Sequence, residues 1–285
     1  RIEIVDQGKK NQLSYLTSDH MDIYVATSMR ERHEFAIVND VLKQIFEQEK
    51  LKNLKLRYFD PTQAYCNDRI DKGLSEALML KRAACTLYLA QESDTLGKDS
   101  ELASTLAQGK PVIAYVPEIN NEYLDKYINL IKELNPKQIE SKIIIEQLRL
   151  FDPGLAWDSA NDVHKWLSSP DVFDIEKGKK LLLSKMENLY NKRAKTLKET
   201  HPLGIQVNLD TGVANGVLVV RSVQQCVDLI YNIMTNKLEF RIEEKRVDDK
   251  IYIFLKEKIS DSIFRVVTGD DFLTNIFWNF YLKNI

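Results

Sequence analysis

Between residues 21 and 116 the chain alternates short apolar runs with longer amphipathic stretches. Met21-Asp22-Ile23-Tyr24-Val25-Ala26 reads as a buried strand, and residues 84–90 form a near-continuous apolar run of the kind buried on both faces. Residues 54–59 alternate Leu54, Leu56 and Tyr58 with Lys55 and Arg57, which predicts a second strand, and residues 112–116 predict a fourth. Helical spacing fills the intervals. Phe35, Val38, Val41, Leu42, Ile45 and Phe46 mark one helix beginning near Arg30, and Ile70, Leu74, Ala77 and Leu78 mark another over 69–82. A third carries Glu101 and ends at Gly109, a natural C-terminal cap. The order β-α-β-α-β-α-β predicts an α/β fold with a parallel, doubly wound sheet.

The pattern changes on both sides of this core. Residues 1–20 are polar and mixed, with one short strand expected at 2–5. After Pro117, helices are expected over 123–134, 137–151, 158–167 and 175–197. His201-Pro202-Leu203-Gly204 marks a boundary. Beyond it, strands at 205–209 and 217–220 flank a hairpin loop, a helix spans 223–234, and a strand pair at 238–242 and 251–255 precedes a strand at 263–267 and an aromatic helix at 272–281. The expected division is therefore 1–135 as the catalytic α/β domain (core 21–118), 136–200 as a helical extension, and 201–285 as a C-terminal α+β domain for sensing or interaction.

Composition narrows the class. A net charge of −2 gives no general attraction to nucleic acid. No apolar run reaches the length of a membrane span, and the start has no signal-peptide pattern, so a cytoplasmic protein is expected. Cys66, Cys85 and Cys226 have no metal-ligand spacing, and His20, His33, His164 and His201 form no cluster, so no metal is expected. Lysines between 177 and 198 read as a solvated helix face. The loops at 210–216 and 268–271 read as turns, with a small effector as the functional alternative.

Glu101 is the leading catalytic candidate. It lies after the third strand of the expected sheet, on the helix that follows a polar loop, where α/β proteins bind ligands. Placed in the helix's first turn, with Asp99 or Ser100 capping, it would also simply complement the helix dipole. A single carboxylate suffices for one kind of bond cleavage. The nicotinamide of NAD leaves ribose C1′ without a proton donor, so the protein need only attack or stabilise the oxocarbenium-like centre. Ordinary glycosides need two carboxyl groups. Thr27, Ser28 and Arg30 at the first strand's mouth are candidates to hold phosphate or ribose through hydroxyls, backbone N–H groups and a guanidinium. Helix capping is the plain alternative for Thr27 and Ser28. Asp60 is a candidate for a ribose hydroxyl or a turn residue before Pro61, and Tyr65 a candidate to stack on a base. Glu92 and Asp94 read as solvated loop carboxylates.

These segments resemble TIR domains. Asp22-Ile23-Tyr24-Val25-Ala26-Thr27-Ser28 is similar to their opening strand and loop, 60–68 to the loop after their second strand, and Ile70-Asp71-Lys72-Gly73-Leu74-Ser75-Glu76-Ala77 to the helix that follows. Ser93 through Glu101-Leu102 resembles the region holding their catalytic glutamate, although Gly97-Lys98 stands where Trp-Cys is usual. Residues 101–112 resemble nucleoside 2-deoxyribosyltransferases equally well. The resemblance spans about 21–118. It implies a flavodoxin-like sheet and an NAD glycohydrolase or cyclase, with NAD as substrate and no separate cofactor. It also implies a regulated effector of bacterial antiphage immunity that assembles as a homo-oligomer or with a partner protein. The alternatives are a nucleoside 2-deoxyribosyltransferase or nucleotide N-glycosidase, a non-catalytic adaptor, and a nucleotide-sensing module.

Overall fold

The computed structural model describes residues 2–28, 30–92, 95–156, 164–166, 173–200, 205–208, 213–247 and 249–267. Five parallel strands form its centre: β1 (Met21–Ala26), β2 (Tyr58–Phe59), β3 (Ala83–Leu89), β4 (Val112–Tyr115) and β6 (Val213–Val220), in the order β2-β1-β3-β4-β6. Register is set by pairs such as Tyr24 with Thr86, Leu87 with Ile113 and Ala114 with Val219. The α/β class and the parallel sheet expected from the pattern are both present.

Period-2 alternation sends the strand side chains to two cores. Ile23, Val25, Cys85, Leu87, Ile113 and Leu218 face α2 (Arg32–Phe46), α3 (Glu49–Lys52) and α9 (Val223–Met234). Tyr24, Ala26, Tyr88, Ala114 and Val219 face the other way. There they meet α4 (Arg69–Arg82), α5 (Leu96–Ala107), α6 (Asn121–Leu134), α7 (Glu140–Phe151) and α8 (Ile175–Lys195). Helices on both faces explain why β3 is apolar almost throughout.

The remaining strands extend the sheet. β5 (Ile205–Asn208) pairs with the first half of β6, and β7 (Phe240–Val247), β8 (Lys250–Glu257) and β9 (Ile263–Val267) complete an antiparallel leaf. Ala214 and Asn215 of β6 pair with β9, while Val217–Val220 pair with β4. The boundary expected at residue 201 therefore does not separate two sheets, because one strand belongs to both.

Three local expectations are corrected. Residues 2–5 belong to α1 (Ile2–Thr17) rather than a strand. Ile2 and Ile4 are exposed, and the helix docks through Gln12, Tyr15 and Leu16, which share a face at helical spacing. The second strand is Tyr58–Phe59 only, since Lys55 takes a left-handed φ of 50°, incompatible with an extended run from residue 54. The third helix begins at Leu96 with Thr95 as its cap, so Asp99 and Ser100 lie inside it. At its far end Gly109 adopts a φ of 72°, as a residue just past a helix end should. The helix expected at 272–281 and the loop at 268–271 lie outside the described residues, as does most of 158–167.

Candidate functional site

Thr95 caps α5, its Oγ1 accepting the Lys98 N–H. Asp99 and Ser100 are inside the helix, and the Ser100 hydroxyl donates back to the Leu96 carbonyl. Glu101 consequently sits in the second turn, not the first, where the dipole's influence has faded. Its environment is set instead by side chains. Tyr24, fully buried in β1, donates its hydroxyl to Glu101 Oε1 at 2.7 Å. Burial pushes the Glu101 carboxyl up to about 7; the Tyr24 hydrogen bond pulls it back, the Glu76 charge adds to the rise, and the Lys98 and Lys72 ammonium groups oppose it. Glu76, on α4 with Lys72 3.6 Å away, is itself raised by burial. Lys98 is buried beneath, its Nζ donating to the Leu89 carbonyl at 2.8 Å and lying 4.6 Å from the Tyr88 ring centre. The result is a part-buried carboxyl group near neutrality in its titration, held by one neutral donor. Ionised, it can attack or stabilise a cationic carbon; protonated, it can donate.

The sheet's strand order reverses between β1 and β3, and the tips of these strands are tied together. Gln91 Oε1 accepts from the Thr27 hydroxyl at 2.8 Å and from the Ser28 N–H at 2.6 Å, and its Nε2 donates to the Ser28 carbonyl at 3.0 Å. Neither Thr27 nor Ser28 caps α2. Glu31 holds that position, and the Glu34 carboxylate accepts from the N–H groups of Arg30 and Glu31. The backbone N–H groups of Ser28 and Arg30 are thus engaged within the protein, which leaves side-chain atoms for any contact with phosphate. The Thr27 hydroxyl and the exposed Arg30 side chain remain at the mouth of β1.

Asp60 is buried and its Oδ1 accepts the Thr62 N–H, capping a single 3-10 turn at Pro61–Gln63. This is the turn role, and burial raises its carboxyl. Tyr65 is 41% exposed and its N–H donates to the Gly8 carbonyl of α1. The face of α4 beside Tyr65 carries Asp71 and Ser75, whereas Lys72 and Glu76 point toward Glu101 from another face. The structure therefore brings Glu101 and Tyr24 together, while Thr27 is tied to Gln91 at the strand tips and Tyr65 to α1.

A second polar group occupies the edge under α6 and α8. Glu92, expected in solvent, has a side chain only 5% exposed and lies 2.7 Å from His33 Nε2. Tyr127 approaches the same nitrogen at 3.4 Å and donates to Gln147 at 2.7 Å, while Arg193 Nη2 donates to the Glu92 carbonyl at 2.9 Å. A cavity of only about 30 Å³ remains there, walled in part by Tyr115, Tyr123 and Tyr190. Sequence reasoning missed this network because its members are scattered. The available signal was a tyrosine or histidine on an otherwise apolar helix face, which requires a buried partner. Asp94 lies outside the described residues.

No family model matches the chain, and no curated protein is significantly similar to it. A crystal structure of a conserved protein from Enterococcus faecalis V583 is similar over 76% of this chain and 99% of that one, at 15% identity and a TM-score of 0.34. A likeness that remote carries no argument about function. Among the described residues no helix is long and apolar enough to cross a membrane, and no group of three or more His, Cys, Asp or Glu side chains is placed to hold a metal ion.

Proposed function

We propose that the protein cleaves the nicotinamide–ribose bond of NAD, as a TIR-like glycohydrolase or cyclase, with Glu101 as the group that meets ribose C1′. The observation that carries this reading is the Glu101 carboxyl, part-buried, fixed by the Tyr24 hydroxyl and standing beside the reversal of strand order. Nicotinamide leaves as a neutral molecule once its bond electrons return to the ring nitrogen. The ionised carboxylate then either bonds to C1′ or balances its positive charge until water or an internal nucleophile adds. Tyr24 orients the carboxylate. The Thr27 hydroxyl, which donates to Gln91, and the exposed Arg30 side chain are the candidates to contact ribose and phosphate at the β1 tip. A regulated antiphage effector acting in an assembly is the biological role this activity fits.

One observation favours a second reading. A carboxyl group titrating near 7 is half protonated at neutral pH, which suits donation to a neutral nucleobase during nucleoside or nucleotide N-glycoside cleavage. The two readings have opposite pH dependence. If ionised Glu101 acts on NAD, turnover rises through a midpoint near 7; if protonated Glu101 acts on nucleosides, turnover falls there. The deciding experiment incubates the concentrated protein with NAD and, separately, with deoxynucleosides, and follows nicotinamide or free base by chromatography. Nicotinamide release that Glu101→Gln abolishes supports the first reading. Release of free base alone supports the second, and NAD turnover retained by a folded Glu101→Gln protein overturns the assignment of Glu101.

A further inference from the structure

One departure from close packing near the α/β core lies away from Glu101. It lies between α1 and α4, where a cavity of about 430 Å³ opens toward the loop after β2. That volume falls in the range of small-molecule sites. Its wall combines an apolar floor from Leu16 and Leu78 with polar groups from Lys9, Gln12, Asn67 and Asp71.

Two features show a shaped site rather than a packing gap. The first is Gln12, which lines the cavity and is 7% exposed, with an amide nitrogen that meets no hydrogen-bond partner among the described residues. Buried amides are ordinarily satisfied. An acceptor entering the cavity would supply the missing partner through a turn of the terminal amide, whose oxygen and nitrogen are interchangeable by that rotation. The second is the mounting of Tyr65. Its N–H donates to the Gly8 carbonyl at 3.2 Å, and a Cβ on Gly8 would come within 2.8 Å of the Tyr65 Cβ. Glycine at position 8 thus lets α1 seat the tyrosine closely, while the side chain stays partly exposed at the rim. Lys9 lies 6.0 Å from the centre of the ring.

We propose that this cavity is a binding site for a planar heteroaromatic molecule of the nucleobase or nucleoside class. The ring would lie against Tyr65 and a carbonyl or ring nitrogen would accept from Gln12. Asn67 can donate or accept at the ring edge, and Asp71 can accept from an exocyclic amine. An aliphatic ligand would use the floor but leave the tyrosine face without a stacking partner. The site is separate from Glu101, because the lining residues of α4 lie on a different face from Lys72 and Glu76. It does not depend on the reaction assigned to Glu101.

Adenosine and cytidine are the probes, titrated into the full chain by calorimetry. The expected result is saturable binding of at least one, weakened at least tenfold in both Gln12→Leu and Tyr65→Ala and unchanged in Glu101→Gln. Thermal unfolding identifies any variant that does not fold, in which case the other variant decides. No binding of either probe at millimolar concentration overturns the proposal, as does parental affinity in the folded variants. Adenosine binding that disappears in Glu101→Gln but survives Tyr65→Ala also overturns it, since the molecule would then occupy the other site.

Discussion

Glu101 and Glu92 are both removed from bulk water beside the same sheet, yet their surroundings differ in kind. Glu92 faces an imidazole, lies within a network closed by Tyr127, Gln147 and Arg193, and borders a cavity too small for substrate. Glu101 faces a neutral phenol, shares its neighbourhood with another carboxyl group, and is pushed up to about 7. A buried acid with a basic partner serves cohesion. Glu101 has the Lys98 and Lys72 ammonium groups in its neighbourhood, but burial outweighs them and its hydrogen-bond partner is a phenol; perturbed groups of that kind cluster where chemistry is done. The contrast fits the proposal that Glu101 reacts, with Glu92 holding the helices down.

The sharpest break would come from catalysis. Glu101→Gln is expected to lower nicotinamide release by about 10³-fold or more, of the order that loss of a charge-stabilising group produces, whereas Glu92→Gln should keep most of the activity per folded molecule. Equal losses in the two proteins, measured by initial rates, would erase the distinction. Stability should reverse the ranking. Removing His33 by substitution with Ala leaves Glu92 buried without its partner, and a loss of about 3 kcal/mol is expected in urea unfolding. A loss below about 1 kcal/mol would show that the network contributes little cohesion.

Glu101 should behave oppositely. Its carboxyl is raised in the folded state, so the folded protein binds more protons than the unfolded chain between the ordinary carboxylate value and about 7. Stability from this group is present at low pH and is lost as pH rises through that window. Glu101→Gln should therefore be more stable than the parent at pH 8, by on the order of 2–3 kcal/mol at most, with the gap closing toward pH 5. A mutant equally stable at both pH values would mean that the carboxyl group is not desolvated in solution. The smallest effect concerns Tyr24. Its hydrogen bond lowers the Glu101 carboxyl, so Tyr24→Phe should move the midpoint of the pH–rate profile upward by roughly half a unit to one unit, the scale of one hydrogen bond. An unmoved midpoint would detach Tyr24 from the reacting group.

Much of this arrangement was legible in the chain. The parallel sheet could be read because β1, β3 and β4 are short, nearly unbroken apolar runs separated by helices with clear periods. The fifth parallel strand was hidden. Val217–Val220 was recognised as a strand, but local pattern says nothing about a partner in β4 about a hundred residues earlier. Lys55 and the α1 segment misled for a different reason: two or three alternating residues satisfy either period, and tertiary contacts decided. At the site, Glu101 was found from its place after the third strand, while the first-turn argument attached to it failed. Tyr24 is core, but a phenol within a buried strand needs a partner for its hydroxyl. That requirement points across the sheet face without naming the residue that answers it. Glu92 looked solvated because nothing in its loop reveals His33 opposite.

β6 has a practical consequence for anyone who trims the chain. Its second half is the only described neighbour of β4 on that side, and its first half anchors β5 and β9. Cutting at residue 200 would strip four residues of pairing from β4 and bare a flat apolar border of the kind that adheres to other copies. A shortened fragment that precipitates would say nothing against the proposed chemistry, and assays of that proposal belong on all 285 residues.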